Sequence, residues 1–179
     1  MIDLDGFIAD CVSARQDSEP RRAIKEVLAR VLSDSRALAE TLPPNRAEIV
    51  RLHASPELTI IKVVWAPGMT FGAHNHNMWA AIGLYTGGED NTFYRRDGAS
   101  ITQSGGKALR PGDLCLLGDD TIHAVTNPTT EFACAIHVYG GDFFATQRSE
   151  WRGSPAVEEP YDVERTLAYF EAANAGPTD

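Results

Sequence analysis

Two histidines stand two residues apart in Gly72-Ala73-His74-Asn75-His76, just after the turn residues Pro67-Gly68. In an extended segment, residues i and i+2 project to the same face, so His74 and His76 can hold one ion between them. Imidazole nitrogen is a standard ligand for divalent first-row metals, and the chain has only five histidines in all. A third candidate is His123, in Thr121-Ile-His123-Ala-Val-Thr-Asn127. The plain alternative for His123 is a histidine satisfied at a strand start. Against that stands its setting: a Pro111-Gly112-Asp113 turn, a short apolar run, a second turn, then His and Asn four residues apart. His53 precedes Pro56 in a stretch without such a pattern and is expected to lie outside any metal site. Further on, Ala133-Cys-Ala135-Ile-His137-Val-Tyr139 alternates, so Ala135, His137 and Tyr139 share one face and Ile136 and Val138 the other.

These side chains need a rigid frame. After Pro56 the chain consists of short apolar runs, 58–65, 79–85, 113–117 and 132–139, punctuated by Gly87-Gly88, Asp97-Gly98, Gly105-Gly106, Pro111-Gly112 and Asn127-Pro128. Runs of that length between closely spaced turn residues predict a β-sandwich or barrel. Before them, 19–42 repeats apolar residues at three- and four-residue steps between Pro20 and Pro43-Pro44, which predicts helix. At the other end, Val163, Leu167 and Phe170 predict one stripe of a helix over 162–173, with Asp162 as its cap and Gly176-Pro177 as its stop. The expected organisation is a helical appendage over 1–50, a barrel over 51–150 and a helical segment over 151–179, together one structural unit.

The histidine pair followed by the Pro-Gly-Asp turn and His123 resembles the two sequence motifs of the cupin superfamily, over roughly 58–139. That resemblance implies a mainly β fold, the double-stranded β-helix or jelly-roll barrel, with a metal inside it. Here the barrel would carry N-terminal helices and a short C-terminal one. Many cupins have a glutamate ligand shortly after the histidine pair, where this chain reads Asn77-Met78-Trp79-Ala80-Ala81. The implied ligand set is therefore His74, His76 and His123. Three neutral imidazoles leave a divalent ion its full charge and open positions, and Zn, Fe, Ni and Cu all suit them.

His137 and Tyr139, two apart after such a site, resemble the thiol dioxygenases, that is, the cysteine and 3-mercaptopropionate dioxygenases, in which a Ser-x-His-x-Tyr relay lines the iron site. The turn after Trp65 and the Gly-rich approach to His74 are similar too. The resemblance implies Fe(II), a small carboxylate-bearing thiol and O2 as substrates, and oxidation of sulfur to the sulfinate. Tyr139, oriented by His137, would be the catalytic pair. Arg148 resembles the arginine that holds the carboxylate in 3-mercaptopropionate dioxygenases, and Arg51 lies nearer the position used by cysteine dioxygenases. Either guanidinium can clamp a carboxylate with two parallel hydrogen bonds. Two departures stand out: Ala135 occupies the relay's serine position, and no cysteine near Ala80 and Ala81 can form a thioether to the tyrosine. The segment 85–96 has no counterpart in those enzymes. In it Gly87-Gly88 reads as a hairpin turn, Arg95-Arg96 as a solvated strand end, and Glu89, Asp90 and Asn91 as a polar barrel mouth. Two further readings remain open: a three-histidine cupin oxygenase acting on a carbon substrate such as a β-diketone, and a metal-bound small-molecule sensor or storage cupin without turnover.

The whole-chain numbers agree with a single core: 179 residues, 43% hydrophobic and 23% charged. A net charge of −9 argues against nucleic acid as a partner. The run 58–65, interrupted by Thr59 and Lys62, is far short of the roughly 20 residues that span a bilayer, so no membrane segment is expected. Residues 1–10 carry three Asp and no Lys or Arg, the opposite of a secretory leader, which makes the cytoplasm the expected compartment. Three widely spaced cysteines, Cys11, Cys115 and Cys134, suggest neither disulfides nor a thiolate site, and Cys115 and Cys134, in apolar runs, are expected to be core packing. A monomer or homodimer is expected.

Overall fold

In the computed structural model, which describes residues 1–175, three helices lead into the sheets: α1 (Leu4–Ala14), α2 (Pro20–Leu32) and α3 (Ser35–Thr41). Eleven strands follow: β1 (Glu48–Ala54), β2 (Thr59–Trp65), β3 (Thr70–His74), β4 (Ala80–Thr86), β5 (Glu89–Asp97), β6 (Ser100–Leu109), β7 (Leu114–Leu117), β8 (Ile122–Thr126), β9 (Ala133–Tyr139), β10 (Ser149–Arg152) and β11 (Val157–Pro160). The described part ends with α4 (Val163–Asn174). The strands form two antiparallel sheets, ordered β1-β2-β9-β4-β7 and β11-β10-β3-β8-β5-β6. From β2 to β5 the chain changes sheet at every connection, and it does so again from β6 to β10. That winding produces a double-stranded β-helix, or jelly-roll barrel, the fold class expected from the sequence.

The near-continuous apolar runs have a simple cause: the first sheet is covered on both faces. Ile61, Val63 and Trp65 of β2, Ile82 and Leu84 of β4, and Ala135 and Tyr139 of β9 fill the barrel. Their alternates Ile60, Val64, Ala81, Tyr85, Ile136 and Val138 pack under α1, α2 and α3 with Ile24, Leu28, Leu32 and Leu38. Lys62, the polar interruption in β2, reaches Glu48 at 2.7 Å at the edge of that layer.

Several expectations need correction. The helical region 19–42 breaks at Ser33-Asp34, where the Asp34 carboxylate accepts from the Ala37 amide at 2.9 Å and starts α3. Helix α1 precedes it, inside the helical appendage expected over 1–50, capped by Asp3 on the Gly6 amide. Gly87-Gly88 is no hairpin turn, because β4 and β5 belong to different sheets. Gly87 has φ of +68°, and a Cβ there would stand 2.7 Å from the Phe132 carbonyl oxygen, so glycine is what lets the chain cross. Gly105-Gly106 lies inside β6, opposite Phe93 and Thr92, next to a register shift and thus at a bulge. The segment from 151, expected to be helical, first completes β10 and adds β11, which pairs with it. Asp162 does cap α4, through the Arg165 amide at 2.9 Å. The buried side of that helix is Thr166 and Phe170, however, while Val163 and Leu167 are exposed. Phe170 packs on Trp65 with ring centroids 5.3 Å apart, so α4 closes one end of the barrel. The stop expected at Gly176-Pro177 lies outside the described residues. All three cysteines are free and buried, and among the described residues no helix is long and apolar enough to cross a membrane.

Candidate metal centre

Inside the barrel, β3 ends at His74 and β8 carries His123 directly opposite it. His76 follows two residues on and turns back into the same space. One ring nitrogen from each of the three lies within 4.8 Å of the others, a group that can bind a metal ion. All three side chains are buried. The alternate residues do different work. The Asn75 side-chain oxygen Oδ1 accepts from the Ser149 backbone amide at 2.8 Å, and the Asn77 side-chain Nδ2 donates to the Gln147 carbonyl at 2.9 Å. His-Asn-His-Asn thus points two ligands inward while its asparagines hold the segment that carries Arg148.

Two of the rings have their tautomer fixed from behind. His74 Nδ1 donates to the Gly72 carbonyl at 2.9 Å, leaving Nε2 toward the cluster. His123 Nδ1 meets Asn91 Oδ1 at 2.8 Å, and its Nε2 is buried without a protein partner. Asn91 in turn donates to Glu89 Oε1 at 2.9 Å, and Trp65 Nε1 donates to Glu89 Oε2 at 2.9 Å. Glu89 and Asn91, expected to make the barrel mouth polar, are instead fully buried behind His123. Their signal was present in the sequence as inward alternation along β5, with Phe93 next in the series.

Burial keeps these imidazoles neutral, the state that metal ligation requires. Desolvation pulls His74 down to about 4, the Gly72 bond opposing it and the Arg148 charge adding to it. His76 and His123 are driven well below the usual value by desolvation and then by neighbouring imidazoles. His137 falls to about 3, chiefly by desolvation. Neutral, and with one ring nitrogen each brought to a common point, the three rings fit a divalent ion.

His137 and Tyr139 both line the cavity at this cluster, with His137 Nδ1 and Tyr139 Oη 2.9 Å apart. The Tyr139 ring lies 5.0 Å from that of His76 and stacks on Phe143 at 4.4 Å. Ala135 offers no hydroxyl, so the tyrosine itself is the partner of His137. Desolvation raises the Tyr139 phenol, although the Arg148 charge opposes this. The cavity is small, ≈ 30 Å³, and is walled mainly by Ile61, Val63, Trp65, Phe71, Phe143 and Phe170. That is room for an ion and a water-sized ligand.

The Arg148 guanidinium lies between two rings, 4.1 Å from the centroids of both Phe143 and Tyr161. Nη1 donates to the Phe143 carbonyl at 2.5 Å, while Nε is buried without a partner. Tyr161 lines the inner cavity and also an outer groove of ≈ 720 Å³ that Arg148 borders. Sequence reasoning missed Tyr161, which sits in an aperiodic stretch between β11 and α4. Arg51 is exposed, with its guanidinium 5.7 Å from the Phe144 ring, and is not among the cavity-lining residues. His53, on β1, pairs with Ile60 of β2 and is not part of the three-histidine group.

No family model matches this chain. Among solved structures, a Bacillus halodurans protein is 15% identical with a TM-score of 0.49, the alignment covering 62% of this chain and 77% of that one. The Cnp3 cupin domain of Schizosaccharomyces pombe is 10% identical with a TM-score of 0.47, covering 56% and 67%. DMSP lyase DddQ from Ruegeria pomeroyi is 20% identical with a TM-score of 0.46, covering 58% of this chain and 51%, about half, of the lyase. These likenesses concern the fold alone.

Proposed function

We propose that the protein is a non-haem iron thiol dioxygenase-like enzyme that oxidises a small carboxylate-bearing thiol to its sulfinate, RSH + O2 → RSO2H, in the cytoplasm. His74, His76 and His123 would hold Fe(II). When bound, the ion supplies a Lewis acid that favours the thiolate and the redox chemistry that reduces dioxygen. The observation that carries the reading is the hydrogen-bonded His137–Tyr139 pair beside the three-histidine cluster, with a caged arginine at the rim.

The remaining chemistry belongs to the chain. With His137 Nδ1–H donating to the phenol oxygen, the Tyr139 proton is free to be donated into the cavity at the reacting sulfur and oxygen atoms. Arg148, its faces covered by Phe143 and Tyr161, has an unpartnered Nε that would bond a substrate carboxylate and so set the sulfur's orientation. The aromatic wall excludes water, which strengthens both interactions. The inner cavity would take the ion and the reacting atoms, and the rest of the substrate would extend into the outer groove that Arg148 borders, where its charge favours an anionic substrate over a neutral one.

The hydrocarbon lining favours one second reading, an oxygenase acting on a carbon acid such as a β-diketone. Metal analysis of untagged protein, followed by oxygen uptake with cysteine, 3-mercaptopropionate, mercaptosuccinate and a β-diketone, separates the two. Uptake with a thiol and stoichiometric sulfinate supports the proposal. Uptake with the diketone alone overturns it in favour of the second reading, and no uptake with either overturns both.

A further inference from the structure

Behind His123 runs a chain of buried polar groups that the proposed reaction does not touch. Its two ends fix its direction. Indole N–H is a donor only, so Trp65 must donate to Glu89. The other Glu89 oxygen accepts from the Asn91 amide nitrogen, which forces the Asn91 carbonyl oxygen toward His123. An oxygen there can only accept, so the His123 proton sits on Nδ1 and the Nε2 lone pair faces His74 and His76. Each of these groups is buried: Glu89 and Asn91 are 0% and 2% exposed. Water is thereby kept from substituting for any link.

We propose that Glu89 and Asn91 are positioning residues that select the metal-binding tautomer of His123, with Glu89 setting the polarity of the whole chain. The inference rests on the three-histidine reading of the site, and it concerns residues that do not themselves touch the ion. It makes a definite statement about a nearly isosteric change. In Glu89→Gln the side-chain oxygen still accepts from Trp65, but the new amide donates toward Asn91. Asn91 then turns its oxygen to Gln and its nitrogen to His123. The imidazole proton moves to Nε2, where it blocks the ligand lone pair. The double variant Glu89→Gln/Asn91→Asp restores an acceptor at His123 and keeps a donor facing an acceptor at each link: Trp65 to Gln, Gln to Asp, and His123 Nδ1–H to Asp.

The test uses the full-length, metal-free protein and cobalt(II) as the probe. Two-bond 1H–15N NMR of uniformly 15N-labelled protein reads the His123 tautomer, and titration with cobalt(II), followed by its visible bands, reads affinity. The wild type is expected as the Nδ1–H form. Glu89→Gln is expected to shift it to Nε2–H and to weaken cobalt binding by roughly 10-fold or more, the usual scale for losing a ligand's outer hydrogen bond. The double variant is expected to recover both. An unchanged tautomer in Glu89→Gln overturns the proposal, as does a double variant that folds yet stays as weak as the single one. The NMR arm reads the relay even if cobalt does not bind, so failure of the metal reading and failure of this inference are told apart.

Discussion

At the scale of single residues, the centre combines three groups with separable duties. His74, His76 and His123 face one point, so replacing any one of them by Ala should remove most of the bound metal, measured by plasma emission on protein loaded with Fe(II) or Zn(II). Three single variants that all keep their metal would contradict the assignment. Tyr139→Phe keeps the ring that stacks on Phe143 and deletes only the hydroxyl. Metal content should be unchanged and turnover should drop by roughly 10²-fold or more, the scale of a positioned proton donor. Full activity would remove Tyr139 from the chemistry. Arg148→Lys keeps a charge and loses the planar face held between Phe143 and Tyr161, so KM for a carboxylate thiol should rise much more than kcat falls. Tyr161→Leu should act in the same direction, because it uncovers one face of that guanidinium. An unchanged KM in both variants would mean that the arginine holds no substrate.

At the scale of elements, one contact shows how closely the helical layer is fitted to the barrel. Gly83 on β4 lies under α2, and a Cβ there would stand 2.6 Å from Leu32 Cδ1 and 3.0 Å from Leu28 Cγ. Gly83→Ala should therefore lower stability by about 1–3 kcal/mol, as overpacking does, while leaving metal affinity alone. Denaturant unfolding checks the first part, and a loss of metal with no loss of stability would contradict the second. Such fits mark the boundary of what the sequence disclosed. Strand runs, their inward alternation and the spacing of the histidine pair are local patterns, so the barrel and the face shared by His137 and Tyr139 could be read directly. The break at Ser33-Asp34 was hidden because apolar periodicity continues across it. Asn91 behind His123 is a contact between residues 32 apart in the chain, and Asn77 with Gln147 one between residues 70 apart. No local period encodes such pairs. Tyr161 was missed for the same reason, since its role depends on where β11 returns and not on its neighbours in sequence.

At the scale of the whole molecule, the buried imidazoles tie stability to pH. In the metal-free folded chain, desolvation holds His74 near 4 and His137 near 3, with His76 and His123 also well below 6.5. In the unfolded chain the same groups titrate near 6.5, so below that pH the unfolded state binds more protons than the folded state. The stabilising contribution is fully present above about 6.5 and is lost progressively as pH falls toward 4. Each linked histidine can contribute a slope of up to about 1.4 kcal/mol per pH unit in that window. Glu89 acts the other way: burial raises its carboxyl, which costs stability as pH rises through the lower part of the range. It is one group against four, so the imidazoles should dominate. The urea midpoint of metal-free protein should accordingly fall from pH 7 to pH 5. With metal bound the dependence should steepen, because protons and the ion compete for the same nitrogens. A midpoint that is flat or rises toward pH 5 would mean that the four rings are not held neutral together inside the barrel, and with that the preformed three-nitrogen site would go too.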